Sequence, residues 1–187
     1  MAAFSVRPMT ALDVPRIVSY VVDSSPEDRE RLGMTNVPPR EAMTESLLEA
    51  CTTPLESARS SYLIWEVDGH PVGFSSLKGI VPGEHGGMHL HMWEAGLRGR
   101  GFGAVLFCRS AVEFHDRFRL RSIVCEPRAA NPAPNRMLRR IGFPLVRTYV
   151  GASSELSAVC ELNRYEILRD VAEAYLASRG SVGRDVP

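Results

Sequence analysis

No apolar run in this chain of 187 residues approaches the length needed to cross a membrane, and its opening stretch, MAAFSVRPMTALDV, lacks the hydrophobic core of a signal peptide. The expected compartment is therefore the cytoplasm, with no membrane partner. An excess of charge of one sign is missing as well. The 22 basic and 22 acidic residues give a formal net charge of +0, which argues against a general nucleic-acid binder while leaving room for a local basic patch. Cysteine is scarce and unpaired in spacing: Cys51, Cys108, Cys125 and Cys160 read as reduced thiols rather than a disulfide framework or a zinc site. Repeats and low-complexity segments are absent. The length suits one domain with a sizeable core, over residues 1–167, followed by a terminal helix and a frayed tail over 168–187.

What is present is a mixture of the two hydrophobic periods. Residues 4–9 alternate as a short strand, and the next stretch carries Leu12, Ile17, Tyr20 and Val21 at mostly helical spacing, with Thr10 and Asp13 as candidate N-caps. PEDRERLG reads as no more than a helical turn before the break at NVPP, whereas 39–52 forms a helix with Met43, Leu47, Leu48 and Cys51 on one face. Two β-prone runs meet at Asp68-Gly69, a strong hairpin signal. GGMHLHMW (86–93) is a third strand of this group, with Met88, Leu90 and Met92 on one face and His89, His91 and Trp93 on the other. Phe107, Ala111, Phe114 and Phe118 define the buried face of a long helix, while Arg117, Arg119 and Arg121 read as a solvated face. Strands follow at 120–126, 145–150 and 156–167, with a short helix after Asn131, and the last helix carries Leu168, Val171, Ala172 and Tyr175. The order β-α-α-β-β-β-α-β-α-β-β makes a mixed α/β domain.

Between the third strand of the hairpin group and the long helix lies GLRGRGFGAVL, with three glycines in five positions. Glycine within a helix costs about 1 kcal/mol relative to alanine, so packing alone is a poor reason to keep them. A helix N-terminus offers unpaired N–H donors and the positive end of a dipole, which points to an anion such as a phosphate. A glycine-rich surface turn is the plainer alternative. Gly99-x-Gly101-x-x-Ala104 also satisfies a dinucleotide fingerprint, but five residues separate it from the preceding strand, and that strand alternates rather than being apolar throughout. A P-loop is excluded because no Gly-Lys-Ser/Thr follows.

The segment Arg98-Gly99-Arg100-Gly101-Phe102-Gly103 fits R-x-x-G-x-G and is followed, 28 positions after Gly103, by Asn131 and then Arg140-Ile141-Gly142-Phe143. This combination resembles the GNAT superfamily of acyl-CoA-dependent N-acyltransferases. The spacing from Asn131 to Phe143 is closest to the branch that acetylates the N-terminal alanine or serine of ribosomal proteins. The resemblance spans most of the chain. It implies a mixed, mostly antiparallel central sheet, splayed at strands 4 and 5 and flanked by helices. It further implies that acetyl-CoA is the co-substrate, with no metal. The pantetheine arm would pair with the strand at His91, Met92 and Trp93, and the pyrophosphate would lie on the amides of Arg98, Gly99, Arg100, Gly101, Phe102 and Gly103. Asn131 would sit near the pantetheine, although an N-cap role is equally open to it. For Arg98 and Arg100 the alternative is a solvated loop charge.

The chemistry implied is attack of a neutral primary amine on the thioester. Deprotonation at pH 7 costs about 1.4 kcal/mol for an α-amine and more than about 4 kcal/mol for a lysine, so a general base is required. Glu126, at the end of its strand, matches the glutamate used as base in the N-terminal branch, with Glu94 as second candidate. The acid departs from the family pattern. Leu138 stands where a tyrosine is usual and Pro134 where the ribosomal branch has serine, which leaves Tyr149, Tyr165 or water to protonate the thiolate. His89 and His91 share a strand face, but no third ligand has a suitable spacing for a metal. The acceptor is a protein N-terminus or a small-molecule amine, its pocket shaped by residues 24–60, and a homodimer is open. Non-catalytic binding of acyl-CoA is the alternative function suggested by Leu138 and Pro134.

Overall fold

The computed structural model describes residues 2–154 and 157–180. Its frame is a seven-stranded sheet in the order β1-β2-β3-β4-β5-β7-β6. Strand β1 (Phe4–Pro8) leads into three helices, α1 (Val14–Val22), α2 (Pro26–Leu32) and α3 (Arg40–Thr52). An antiparallel meander of β2 (Ser60–Val67), β3 (His70–Val81) and β4 (His85–Met92) follows. Helix α4 (Phe102–Phe118) crosses to β5 (Ser122–Cys125), then come α5 (Pro132–Ile141), β6 (Leu145–Gly151), β7 (Cys160–Glu166) and α6 (Arg169–Gly180). The mixed, mostly antiparallel sheet is as expected, with β4 and β5 its one parallel pair among the described residues. No helix of the described residues is long and apolar enough to cross a membrane.

The two faces of the sheet are divided by strand parity. Leu63, Trp65, Leu77, Met88, Ile123, Cys125 and Tyr165 bury against α4, α5 and α6. Ile64, Tyr62 and Phe74 face α1 and α3, which contribute Val14, Ile17, Val18 and Leu47. Trp65 is fully buried, and its indole N–H is shared between Ser75 Oγ (2.9 Å) and Ser110 Oγ (2.8 Å), which ties α4 to the meander without an orphaned donor. The hairpin at Asp68-Gly69 forms with both residues at positive φ (51° and 77°), the geometry a two-residue turn between right-twisted strands demands. The phenylalanine face of α4 lies in the core.

Several expectations are corrected. PEDRERL makes a full helix, α2, capped by Ser25 Oγ, which accepts from Asp28 N at 3.1 Å, and closed by Gly33 at φ 70°. Three helices, not two, therefore precede β2. Leu12 is not on a helix face but 91% exposed in the preceding turn, because α1 starts two residues later. Asp13 occupies the N-cap position yet turns its carboxylate to Arg7 (2.7 and 2.8 Å) and Thr10, leaving the helix end without a side-chain cap. Leu48 is exposed, and Arg117 is half-buried rather than solvated. Strand β7 begins at Cys160, and the tail expected from Ser178 is helical to Gly180; residues 155, 156 and 181–187 lie outside the described residues.

Gly73 illustrates how closely β3 and β4 approach. A Cβ placed there would lie 2.3 Å from the backbone oxygen of His91, and a main-chain atom cannot yield cheaply. Gly73→Ala should cost about 1–3 kcal/mol, read as a lower urea midpoint at unchanged m-value.

Candidate active site

Pairing between β4 and β5 lasts for three rungs only: His85–Ser122, Gly86–Ile123 and Gly87–Val124. Past that point β5 turns to β7, pairing Val124 with Glu166 and Cys125 with Tyr165, while β4 stays with β3 as far as Gly73–Met92. The five residues from Met88 to Met92 therefore have a strand on one side and none on the other. Their outward backbone groups form a sheet edge inside the molecule, available to an extended ligand rich in amides.

The edge runs to the glycine loop. Gly99 and Gly101 take left-handed conformations (φ 77° and 83°), and Gly101 is the N-cap of α4. No side chain caps this 17-residue helix, so the donors of its first turn face outward at the positive end of its dipole. Gly103 is helical, and a Cβ there would meet only Met92 Cε at 3.7 Å and Met137 Sδ at 3.9 Å, ordinary contact distances. Neither strain nor crowding by the protein requires glycine at that position. Phe102 anchors the helix start edge-on against Phe4, with ring centroids 5.1 Å apart. Arg98 turns its guanidinium back onto the carbonyl of Met92 (2.8 and 3.2 Å), tying the loop to the strand end, whereas Arg100 is exposed.

His91 stacks on Phe74 at 4.7 Å with Tyr20 edge-on, and Trp93 donates its indole N–H to Pro71 O. The guanidinium of Arg16 lies 4.7 Å above the Trp93 ring and pairs with Glu94 at 2.6 Å. Glu94 is thus engaged with α1. Glu126, by contrast, is engaged with β6 and β7: its Oε1 accepts from Tyr149 Oη at 2.8 Å and lies 3.3 Å from Arg164 Nη1. The two candidate bases attach to different elements. Two residues on from the last β4–β5 rung on this face stand His89 and Glu126, so these side chains flank the divergence on the α1–α3 side of the sheet.

Tyr149 is held protonated. Burial raises its pKa, as does donation to the Glu126 carboxylate, against the opposing pull of Arg164 and Arg147. Tyr165 is fully buried on the other face and donates to Asn135 Oδ1 at 3.1 Å, and Leu138 is a fully buried core residue. Asn131 does cap α5, accepting from Ala133 N at 3.3 Å, while its backbone oxygen accepts from Asn135 Nδ2 at 2.6 Å. Asn135 also donates to Arg128 O and accepts from Asn163 Nδ2, so it pins the 128–131 loop to β7. Its spacing of four from Asn131 was a usable signal that sequence reasoning passed over; Arg16, Arg128 and Arg164 carried none, since their partners are remote in the chain.

His89 is half-buried, and its pKa falls to about 4, first from burial and then from the charge of Lys78. Among the described residues, no three His, Cys, Asp or Glu side chains gather in a way that would hold a metal ion. An unfolded chain takes up the His89 proton near pH 6.5 and the folded one only near pH 4. Stability from this residue is complete above about pH 6.5 and declines as the pH falls toward 4. His89→Asn should flatten that limb in denaturation curves taken across the window.

A family model described as an acetyltransferase (GNAT) domain matches residues 4–144. No curated protein matches the chain. Among solved structures, the spermidine N-acetyltransferase of Vibrio cholerae with CoA and spermine is 14% identical, covering 91% of this chain and 98% of its own, with a TM-score of 0.71. The aminoglycoside acetyltransferase AAC(6')-Ib in complex with coenzyme A is 17% identical, with coverages of 92% and 98% and a TM-score of 0.71. RimL, a ribosomal L7/L12 alpha-N-protein acetyltransferase in complex with coenzyme A, is 16% identical over 90% of this chain and 95% of its own, also at 0.71. At these identities the likeness is one of fold.

Proposed function

The chain belongs to the GNAT acetyltransferase family, and from that premise we propose that it moves an acetyl group from acetyl-CoA to a primary amine by direct attack within a ternary complex. The observation that carries this reading is the divergence of β4 from β5, which leads an open strand edge to the uncapped start of α4. The edge of 88–92, with Met92 at its end, would take the pantetheine arm on its outward amides, and His91 and Trp93 would flank it, the Trp93 N–H being already given to Val72 O. The loop from Arg98 through Gly99, Arg100, Gly101 and Phe102 to Gly103 would take the pyrophosphate on its main chain. Gly103 fits that role, because a Cβ there would meet the protein only at ordinary contact distances, so the protein itself does not require the glycine. Arg98 contributes by fixing the loop to Met92, and Asn131 retains its side-chain amide for the ligand while its oxygen caps α5.

In the transfer, a C–N bond forms at the acyl carbon and the C–S bond breaks. The proton shed by the attacking amine goes to Glu126, whose Oε1 lies 3.3 Å from Arg164 Nη1. Tyr149 supplies a proton to the departing sulfur and recovers one from Glu126 along the hydrogen bond that already joins them. The net movement is one proton from nitrogen to sulfur. Glu94, already paired with Arg16 on α1, would orient rather than abstract. On this reading the enzyme is cytoplasmic, with a single catalytic domain over 1–167.

Two measurements test this. Glu126→Gln and Tyr149→Phe should each lower kcat by about 10²-fold or more with CoA affinity retained, measured by thiol release. Gly101→Val forces a β-branched residue into the left-handed region and should abolish the thermal shift given by CoA. Full CoA binding by that variant would remove the basis of the proposal.

A further inference from the structure

The strand register around Glu126 sets like charges side by side. Arg147 of β6 stands directly opposite Arg164 of β7, on the face that carries Tyr149 and Glu126. Cross-strand pairs of one sign destabilise a sheet unless an anion lies between them. Glu126 serves Arg164, at 3.3 Å. The guanidinium of Arg147 instead lies 4.6 Å from the centre of the Tyr149 ring and, among the described residues, makes no ion pair. Arg128, two residues beyond Glu126 and bridged to Leu162 next to Arg164, gives Nη1 to the carbonyl of Glu30 and likewise makes no ion pair among them. It also lines a cavity of about 430 Å³ with Arg29, Glu30 and Met34, beneath the end of α2. The one carboxylate that β7 places on this face is Glu166, opposite Val124 at the far end of the strand.

The surroundings of the candidate base are therefore rich in guanidinium and poor in carboxylate. A polyamine or an aminoglycoside brings several positive charges, and the ones not undergoing reaction would be set among arginines. We infer that the acceptor is a primary amine whose own molecule carries a carboxylate close to the nitrogen, with Arg147 and Arg128 holding that carboxylate while the amine faces Glu126. The inference rests on the transferase reading and specifies its substrate. The same field favours the chemistry, since nearby cations make the acceptor ammonium easier to deprotonate. A free α-amino acid and a peptide with an acidic residue next to its N-terminus offer this chemistry equally.

Thiol release from acetyl-CoA with a matched panel tests it. The panel comprises a free amino acid and its amide, a peptide amide opening with serine and aspartate and another opening with serine and lysine, spermidine and an aminoglycoside. The expected result is that a carboxylate-bearing acceptor exceeds its uncharged or cationic counterpart at least tenfold in kcat/KM, mainly through KM. The advantage should shrink as salt rises from 0.05 to 0.5 M. Whether the free acid or the acidic peptide leads distinguishes the two sources. Arg147→Glu, checked for folding by its thermal shift with CoA, should reverse the order of acidic and cationic acceptors. Preference of the natural enzyme for spermidine or the aminoglycoside, or an unchanged order in Arg147→Glu, overturns this inference alone. CoA binding with no amine turned over would overturn the transferase reading and this inference with it.

Discussion

Three residue pairs join β4 to β5 and hold the two halves of the sheet together, and the rest of the site follows from where that pairing stops. Had β5 followed β4 to its end, the outward backbone groups of Met88 to Met92 would be satisfied within the protein, and no ligand could use them. Because β5 turns to β7 instead, an internal edge opens, and it is protected from the usual fate of an edge by lying inside the fold. The parallel crossover then has to return through α4, whose start falls at the end of that edge. One topological decision thus supplies an extended acceptor of amides and an uncapped helix start in continuous order.

The divergence also separates two sets of polar groups by the elements that hold them. On one side, Glu94, Arg16 and Trp93 bind β4 to α1. On the other, Glu126, Tyr149 and Arg164 bind the end of β5 to β6 and β7. The second set is the more enclosed: the Glu126 side chain is 17% exposed against 48% for Glu94, so its interactions are less diluted by water. Asn135 stiffens this side, since four hydrogen bonds join its amide to Arg128, Asn131, Asn163 and Tyr165.

Local chemistry made much of this legible from the sequence. The Asp68-Gly69 turn, the phenylalanine stripe of α4, the alternation of β4 and the glycine loop are all written within a few residues of one another. Helix α2 was not, because PEDRERL has no apolar stripe and is instead held from outside, by the Arg128 bond to Glu30 and a bridge between Met34 and Ser157. Leu12 misled for a similar reason: the partner that draws Asp13 away from capping is Arg7 on β1. The surroundings of Glu126 come from three strands, and Tyr149 lies 23 residues from it in the chain. No periodicity can announce such a meeting.

Strand β6 holds one further consequence. Its register slips by one residue between Leu145 and Arg147, so that Val146 has no partner on β7. That slip decides parity: Arg147 and Tyr149 face Glu126 because one residue has been absorbed before them. Losing Val146 would straighten the strand and leave both side chains where they are, whereas losing Thr148 would turn the tyrosine to the opposite side of the sheet. A deletion at this rim therefore keeps the tyrosine facing Glu126 or turns it away, according to whether codon 146 or codon 148 is lost.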